Sequence, residues 1–274
     1  TGAARAGCLP GVWGGGGGRG APAVLAGGAP GGVDPAVHDR ILGPARKMAE
    51  RDLPVAIAQA WPLGASTVSA SLALAAAAGV RVFATGGIGG VHRGVEVTGD
   101  VSADLDAIAT HPVVTVCAGA KAFLDLPRTL EHLETAGVPV LGWRHDWFPA
   151  FYTRSSGLPV AHRVEGAAEV AAVLALHPRN GGVLLTAPIP RDAELDPDAL
   201  GASLDVAVAA AEADGVTGAA VTPFVLGRIA AATAGRSIPA NLALAENNAR
   251  IAADVAVAVA AGGPVRASSG SGSR

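Results

Sequence analysis

Lysine is nearly absent from this chain of 274 residues, which holds only Lys47 and Lys121 beside 18 arginines. Arginine can serve surface charge and ion pairs, but its guanidinium keeps its proton in proteins and cannot act as an amine nucleophile. Lys121 lies in the run 116–125, where an apolar strand is expected to lead into a helix. Such a place favours burial of the amine and a lowered pKa. Composition leaves two interpretations open: a reactive amine, or two ordinary surface lysines.

Cysteine, aromatic residues and excess charge are scarce as well. Cys8 and Cys117 are far apart and form no CxxC motif, which excludes a disulfide framework and favours a reducing cytoplasm. The net charge of −3 excludes the strongly basic surface that nucleic acids or membrane surfaces attract. Aromatic residues make up only 4% of a chain that is 50% hydrophobic, so small aliphatic residues are expected to build a closely packed interior.

Long apolar runs are missing too. Every stretch of 18 residues contains a charge or a strong helix breaker, so the sequence predicts no transmembrane helix. Residues 1–32 are rich in glycine and lack the apolar core of a signal peptide. We expect this leader to be poorly ordered or a degenerate start of the domain, residues 33–263 to form one α/β domain, and residues 264–274 to be a flexible tail.

What the chain does contain, from residue 33 onward, is an alternation of short apolar runs with longer alanine-rich stretches. These predict strands at 53–59, 80–84, 113–118, 138–142 and 181–186, and helices at 65–79, 102–110, 121–136, 167–176, 195–214, 222–234 and 239–261. Repeated βα units favour the α/β class, with a mostly parallel central sheet flanked by helices on both faces. Ligands of such folds bind beyond the carboxyl ends of the strands.

The most distinctive segment, residues 84–94, follows directly after a predicted strand. Its sequence is Ala-Thr-Gly-Gly-Ile-Gly-Gly-Val-His-Arg-Gly, in which the four glycines within residues 86–90 let backbone N–H groups approach a ligand beside Thr85 and His92. It matches neither the Walker nor the dinucleotide fingerprint. A ligand-binding loop and a tight structural turn are both compatible with this pattern.

Carboxylates and hydroxyls follow at a predicted junction between a loop and a helix. Asp100 and Asp104 are four residues apart and could hold a hard cation such as Mg²⁺ or Mn²⁺, with water in most of the coordination shell. Ser102 and Asp104 could equally be plain helix caps, with Ser102 at the N-cap. Residues 64–68 open another helix after a strand, which is an arrangement that favours anion binding.

Two consecutive asparagines, Asn247 and Asn248, lie within the hydrophobic carboxyl-terminal helix. Asparagine is a poor helix former and costly to bury without partners, so at least one of the two is predicted to have a polar partner. A substrate contact and a structural hydrogen bond across the helix remain open.

Taken together, these segments resemble the pseudouridine-5′-phosphate glycosidase family over residues 33–261. The resemblance rests on runs in the same order: Arg51-Asp52-Leu53-Pro54, residues 79–94, Ser102-Ala103-Asp104-Leu105, residues 117–121, Pro149-Ala150-Phe151-Tyr152, Pro188-Ile189-Pro190, Thr222-Pro223-Phe224 and Asn247-Asn248-Ala249. It implies an α/β enzyme, commonly a homotrimer, with one divalent metal ion such as Mn²⁺ per subunit. It also implies reversible cleavage of the C–C glycosidic bond of pseudouridine 5′-phosphate to uracil and ribose 5-phosphate.

The resemblance further implies roles for individual residues. Lys121 takes the place of the family's nucleophile, which forms a Schiff base with ring-opened ribose, and Asp100 takes the place of its metal ligand. The substrate-binding positions of the family fall on Lys47, Val68, Ser102, Ala103 and Asp104. Thr85, His92 and Asn248 join the predicted substrate-binding residues because of their setting in the segments described above.

One family feature has no counterpart in the sequence. The family carries an early Glu-Ser-Thr stretch whose glutamate donates a proton, whereas no glutamate precedes Glu50 here. Three explanations stay open: an amino-terminal fragment or faulty gene model, a variant with another acid such as Asp34 or Asp39, or a catalytically impaired relative that binds a sugar phosphate or nucleotide. No proton donor is therefore predicted.

Overall fold

The computed structural model of the chain describes residues 24–26, 29–31, 46–178 and 180–262. The predicted tail and the two candidate acids Asp34 and Asp39 lie outside these ranges, as does the leader apart from two short strands. Within the described ranges no helix is long and apolar enough to cross a membrane.

Helices and strands alternate along most of the chain. The strands are β1 (Val24–Ala26), β2 (Ala29–Gly31), β3 (Arg46–Met48), β4 (Leu63–Ser66), β5 (Val82–Ala84), β6 (Val114–Cys117), β7 (Val140–Trp143), β8 (His162–Val164) and β9 (Val183–Thr186). The helices are α1 (Leu53–Ala58), α2 (Val68–Ala77), α3 (Val95–Thr98), α4 (Ala103–Thr110), α5 (Leu126–Thr135), α6 (Ala167–Leu176), α7 (Pro197–Ala213), α8 (Val221–Ala232) and α9 (Ser237–Ala260). Short 3₁₀ turns cover Glu50–Asp52, Arg191–Ala193 and Gly218–Ala220.

The central sheet is parallel throughout, with strand order β5-β6-β9-β7-β8. Successive side chains of a strand point to opposite faces, and this alternation divides the core in two. Val114 and Val116 of β6 pack in a cluster with residues of α6 and α9, whereas Val113 and Cys117 pack with residues of α2 and α4. The α/β prediction, with helices on both faces of a parallel sheet, is confirmed.

A second, four-stranded sheet has the order β2-β1-β4-β3. Strands β3 and β4 are parallel, and their register sets Lys47 opposite Ala65. Strand β1 runs antiparallel to both β2 and β4, so part of the glycine-rich leader pairs with this sheet. Because β4 leads directly into α2, the small sheet brings Lys47 beside the first turn of that helix.

The predicted strand at 53–59 is wrong, because these residues form α1. The Asp52 carboxylate accepts a hydrogen bond from the Ala49 backbone N–H at 2.9 Å, and Pro54 lies in the first turn, where its missing N–H costs nothing. Short apolar runs do not distinguish a strand from a buried helix by periodicity alone.

Two helices begin later than predicted. Residues 63–66 belong to β4, so the helix predicted at 65–79 begins at Val68. The helix predicted at 121–136 begins at Leu126, because the Asp125 carboxylate caps it by accepting a hydrogen bond from the Arg128 backbone N–H at 3.0 Å. Lys121 therefore lies in the turn beyond β6, at the carboxyl end of the sheet.

Candidate functional site

A cavity of about 640 Å³ opens at the carboxyl ends of β5 and β6, between the two sheets' loops and helices α8 and α9. All of the predicted site residues except Asn248 line it: Lys47, Val68, Thr85, His92, Asp100, Ser102, Ala103, Asp104 and Lys121. These residues are up to 74 positions apart in sequence, and the strand ends of the α/β fold bring them together.

Lys121 is held from its backbone by the glycine loop, residues 86–90. Its N–H donates to the Ile88 carbonyl oxygen at 3.2 Å. Burial is the main cause that lowers the pKa of Lys121, the Asp104 carboxylate opposes this shift, and the positive charge of Lys47 adds to it. A lowered pKa increases the fraction of neutral amine, which is the nucleophilic form.

Asp104 is buried and ties two distant parts of the cavity wall together. One carboxylate oxygen accepts the Ser69 N–H at 2.9 Å, and the other accepts the Gly89 N–H at 2.8 Å. Ser102 is the N-cap of α4, since its Oγ accepts the Asp104 N–H at 3.3 Å. The capping interpretation thus holds for Ser102, while the Asp104 side chain fixes α2 and the glycine loop beside Lys121.

The glycine loop is both a tight structure and a wall of the cavity. A Cβ atom on Gly89 would lie 2.6 Å from Cβ of Ser102, and one on Gly87 would lie 2.7 Å from Cε2 of Phe151. Non-bonded carbon atoms do not approach so closely, so a side chain at either position would force Ser102 or Phe151 to move. Gly86, Gly87 and Gly89 also line the cavity, and the two interpretations of the sequence are therefore compatible with each other.

One end of the cavity suits an anion. Val68 is the first residue of α2, so the positive end of the helix dipole faces this region. Hydroxyls pair around it, with Ser66 Oγ 3.0 Å from Ser71 Oγ and Thr67 Oγ1 2.9 Å from Ser69 Oγ. Lys47 and Arg51 line the same cavity and add positive charge.

Asp100 and His92 lie together at the cavity. The His92 backbone N–H donates to the Asp100 carbonyl oxygen at 3.0 Å, and His92 Nδ1 is 3.7 Å from a carboxylate oxygen of Asp100. Burial lowers the pKa of His92 more than the Asp100 carboxylate raises it. Within the described ranges, no three His, Cys, Asp or Glu side chains form a metal-binding group. The donors present fit only a hard cation that keeps most of its water shell, as Mg²⁺ and Mn²⁺ do.

A further part of the cavity wall was missed by the sequence analysis. It is formed by Thr222 and Leu226 of α8, Asn241 of α9 and the aromatic ring of Phe151. A signal existed, because Asn241 lies in the same helix as the two asparagines that were predicted to have polar partners. These groups give the cavity a neutral end with one amide and one hydroxyl.

Asn248 does not line the cavity and lies behind the glycine loop instead. It is fully buried, and its side-chain amide donates to the carbonyl oxygens of Thr85 at 2.8 Å and Gly86 at 3.3 Å. The structural hydrogen bond, one of the two interpretations left open, is what the structure shows. Its neighbour Asn247 donates to the Pro188 carbonyl oxygen at 3.4 Å.

The direction of these pKa shifts predicts a pH profile for amine chemistry. Imine formation should become faster as pH rises and level off below pH 10.5, the ordinary pKa of lysine, because burial lowers the pKa of Lys121. Asp104→Asn should move the plateau to lower pH, since it removes the carboxylate that raises that pKa. The rate of reductive trapping with ribose 5-phosphate, measured against pH, tests this.

Asp106→Asn is the matched control, because the Asp106 side chain is 81% exposed on the same helix. Its profile should match that of the unmodified chain. An Asp104→Asn profile that stays in place or moves to higher pH would contradict the assigned coupling of Asp104 to Lys121.

The sequence matches the family model described as indigoidine synthase A like protein over residues 21–258. A protein of Methylobacterium nodulans named pseudouridine-5′-phosphate glycosidase is 52% identical over 216 residues, which are 78% of this chain and 64% of the relative. A protein of the same name from Caldanaerobacter subterraneus subsp. tengcongensis is 50% identical over 214 residues, 77% of this chain and 69% of that relative. The chain thus spans slightly less than two thirds of the first relative's length.

Two solved structures share the fold. The prealnumycin C-glycosynthase AlnA, in complex with ribulose 5-phosphate, superimposes with a TM-score of 0.81 at 35% identity, over 88% of this chain and 81% of its own. An indigoidine synthase A-like protein of Thermotoga maritima superimposes with a TM-score of 0.79 at 33% identity, over 88% of this chain and 81% of its own. Together with the matching family model and the relatives at about 50% identity, these likenesses show that the chain belongs to the pseudouridine-5′-phosphate glycosidase family.

Proposed function

We propose that the chain catalyses the reversible cleavage of the C–C glycosidic bond of pseudouridine 5′-phosphate, giving uracil and ribose 5-phosphate. The observation that carries this proposal is the lysine at the end of β6, whose pKa is lowered by burial inside a cavity with an anion-binding end. Relatives about half identical to the chain bear the name of this activity, which supports the choice of substrate.

The chemistry explains why a lysine is needed. A C-glycosidic bond offers no oxygen or nitrogen leaving group, so the usual hydrolysis by two carboxylates lacks its protonation step. The Lys121 amine instead attacks C1′ as the bond from C1′ to the ring oxygen breaks and that oxygen takes up a proton, which leaves a secondary amine at C1′ that still carries the uracil. The nitrogen lone pair then forms the C1′=N bond of the imine as the C–C bond breaks, and the electron pair of that bond takes up a proton on the uracil carbon. Water then hydrolyses the sugar imine and releases ribose 5-phosphate and the free amine.

The cavity walls support distinct parts of the substrate. Lys47, the first turn of α2 and the surrounding hydroxyls would bind the phosphate through charge-assisted hydrogen bonds. The Phe151 ring, Thr222 and Asn241 would contact the flat, polar base from the other side. Lys121 and Asp104 line the same cavity, where the ribose would be held.

We further propose that Asp100 binds a divalent cation such as Mn²⁺, with water and the substrate phosphate completing its shell. The ion would supply positive charge beside the phosphate. Asp100→Asn should raise the Mn²⁺ concentration that gives half-maximal activity by about tenfold or more, a loss typical of damaged metal sites. Electron paramagnetic resonance of Mn²⁺ with the chain gives a binding constant that does not depend on turnover.

Asp106→Asn, which changes an exposed carboxylate outside the cavity, is the control for this metal test. Equal Mn²⁺ affinity in Asp100→Asn and in the unmodified chain would place the ion elsewhere. The homotrimer and the reducing cytoplasm remain predictions from the sequence.

The proton donor is the unassigned part of the proposal. The carboxylic side chains among the described residues of the cavity wall are Asp52, Asp100 and Asp104. Asp104 and Asp52 accept backbone N–H groups, and Asp100 is assigned to the cation. A positioned donor is typically worth about 10²–10⁴-fold in rate, so a chain without one would still bind substrate and turn it over slowly.

The test of the proposed function is release of uracil. The full chain, incubated with pseudouridine 5′-phosphate and Mn²⁺, should release uracil in amounts well above the enzyme concentration, as followed by liquid chromatography. The reverse reaction, from uracil and ribose 5-phosphate, should give the same nucleotide. Saturable binding of pseudouridine 5′-phosphate without any uracil release would instead support a catalytically impaired relative.

A further inference from the structure

Asn248 lies at the point where the sheet ends and the glycine loop begins. It is fully buried on α9, between the buried apolar residues Leu244 and Ile251. A buried amide is costly unless it finds partners, so its two hydrogen bonds identify what it stabilises. Both go to consecutive backbone carbonyls, those of Thr85 and Gly86.

These carbonyls lie just beyond the edge strand of the central sheet. β5 ends the strand order, and no described strand lies on its outer side. On the inner side the Ala118 N–H donates to the Gly86 carbonyl oxygen at 2.9 Å. The side chain of Asn248 donates to the same carbonyl oxygen from α9, which packs against β5 and β6.

The loop that begins at Gly86 continues to the reactive groups. The Ile88 N–H donates to the Gly119 carbonyl oxygen at 3.1 Å, and the Ile88 carbonyl accepts the Lys121 N–H at 3.2 Å. One residue later, the Gly89 N–H donates to the Asp104 carboxylate at 2.8 Å. A shift of the Thr85–Gly86 peptide would therefore displace the amine and the carboxylate that tunes it.

We infer that Asn248 is a positioning residue, which holds the glycine loop in the place that aims Lys121 at the sugar carbon and does not itself contact the substrate. The inference rests on the proposed function, since the amine must react there. A misplacement of about 1 Å far from the reacting atoms can cost about 10²-fold in rate. Substrate affinity depends on other walls of the cavity and should stay almost unchanged.

The experiment compares Asn248→Leu and Asn248→Ala with Asn247→Ala. Leucine has a similar size and suits the apolar surroundings, so it removes the two donors with little loss of packing, and alanine tests whether any effect depends on the new side chain. Asn247 lies next to Asn248 and makes a long hydrogen bond at 3.4 Å, which goes to the Pro188 carbonyl oxygen and not to the loop. The measurements are kcat and KM for pseudouridine 5′-phosphate, the rate of reductive trapping with ribose 5-phosphate, and the melting temperature.

Both Asn248 variants should lose about 10²-fold in kcat and in trapping rate with KM changed less than about threefold, while Asn247→Ala behaves like the unmodified chain. A rise in KM with unchanged kcat would overturn the inference, because it would make Asn248 a substrate-binding residue. Full activity in a folded Asn248→Leu chain would overturn it as well.

Hydrogen–deuterium exchange separates this inference from the proposed function. The amides of Ile88 and Lys121 should exchange faster in both Asn248 variants, while those of β7 and β9 stay protected. Unchanged exchange at Ile88 and Lys121 would overturn the positioning role whether or not the chain is active. The unmodified chain could form neither adduct nor uracil while the loop amides still exchange faster in the Asn248 variants. That result would refute the proposed function, but it would support the structural role of Asn248 in the loop.

Discussion

Lys121→Arg is expected to abolish turnover of pseudouridine 5′-phosphate, with a loss of kcat of about 10⁴-fold or more, the scale on which loss of a covalent nucleophile acts. The substitution retains the positive charge beside Asp104 but removes the amine, because a guanidinium does not lose its proton in proteins. Substrate binding should persist, since Lys47 and the first turn of α2 remain. The two measurements are kcat from uracil release and the dissociation constant from calorimetry.

The only other lysine in the chain gives a matched control. Lys47→Arg keeps a cation at the proposed phosphate end, so it should raise KM by less than about tenfold and retain the imine at Lys121. Lys121→Arg with unchanged kcat would refute the imine mechanism. A Lys47→Arg variant that loses all adduct formation would show that Lys47, too, takes part in the covalent step.

Gly119→Ala is expected to reduce the free energy of unfolding by about 2–5 kcal/mol, because two costs add. Gly119 has φ of +78°, in the left-handed region that a side chain rarely adopts. A Cβ atom there would also lie 2.9 Å from the Pro149 carbonyl carbon, and closer still to its oxygen. Backbone would have to move two residues before Lys121, so activity should fall together with stability. Urea unfolding followed by fluorescence measures the change.

Gly79→Ala separates these two costs. Gly79 has φ of +72°, almost the same backbone conformation, but a Cβ atom there would meet nothing within 4 Å. Its cost should therefore be about 1–2 kcal/mol, from backbone strain alone. Equal decreases in the free energy of unfolding of the two variants would show that Pro149 moves away from an added Cβ atom at little energetic cost. The close approach of Pro149 to Gly119 would then not constrain the loop.

The sequence patterns that succeeded are local ones. Ser102 was predicted at the N-cap of a helix and lies there, since a cap depends on a hydroxyl and the next few residues. The apolar run before Lys121 predicted a strand, so Lys121 was expected at a strand end. Ligands of parallel sheets bind beyond the carboxyl ends of the strands, which made this position a candidate site. The helices of the second half of the chain have boundaries within two or three residues of the predicted ones.

The features that the sequence analysis did not predict depend on contacts between distant segments. Asp104 was weighed as a cap or a metal ligand, yet its carboxylate joins Ser69 to Gly89, which lie 35 and 15 residues away in sequence. β9 lies between β6 and β7 in the sheet, an order that no local pattern encodes. Lys47 lies on a strand of three residues, too short for any periodicity to reveal.

Reductive trapping tests the covalent role of Lys121. The full chain is incubated with ribose 5-phosphate, reduced with borohydride and digested, and its peptides are analysed by mass spectrometry. One reduced pentose phosphate adduct is expected, on the peptide that contains Lys121, and none in Lys121→Arg. An unmodified Lys121 peptide, under conditions in which ribose 5-phosphate demonstrably binds, would contradict it.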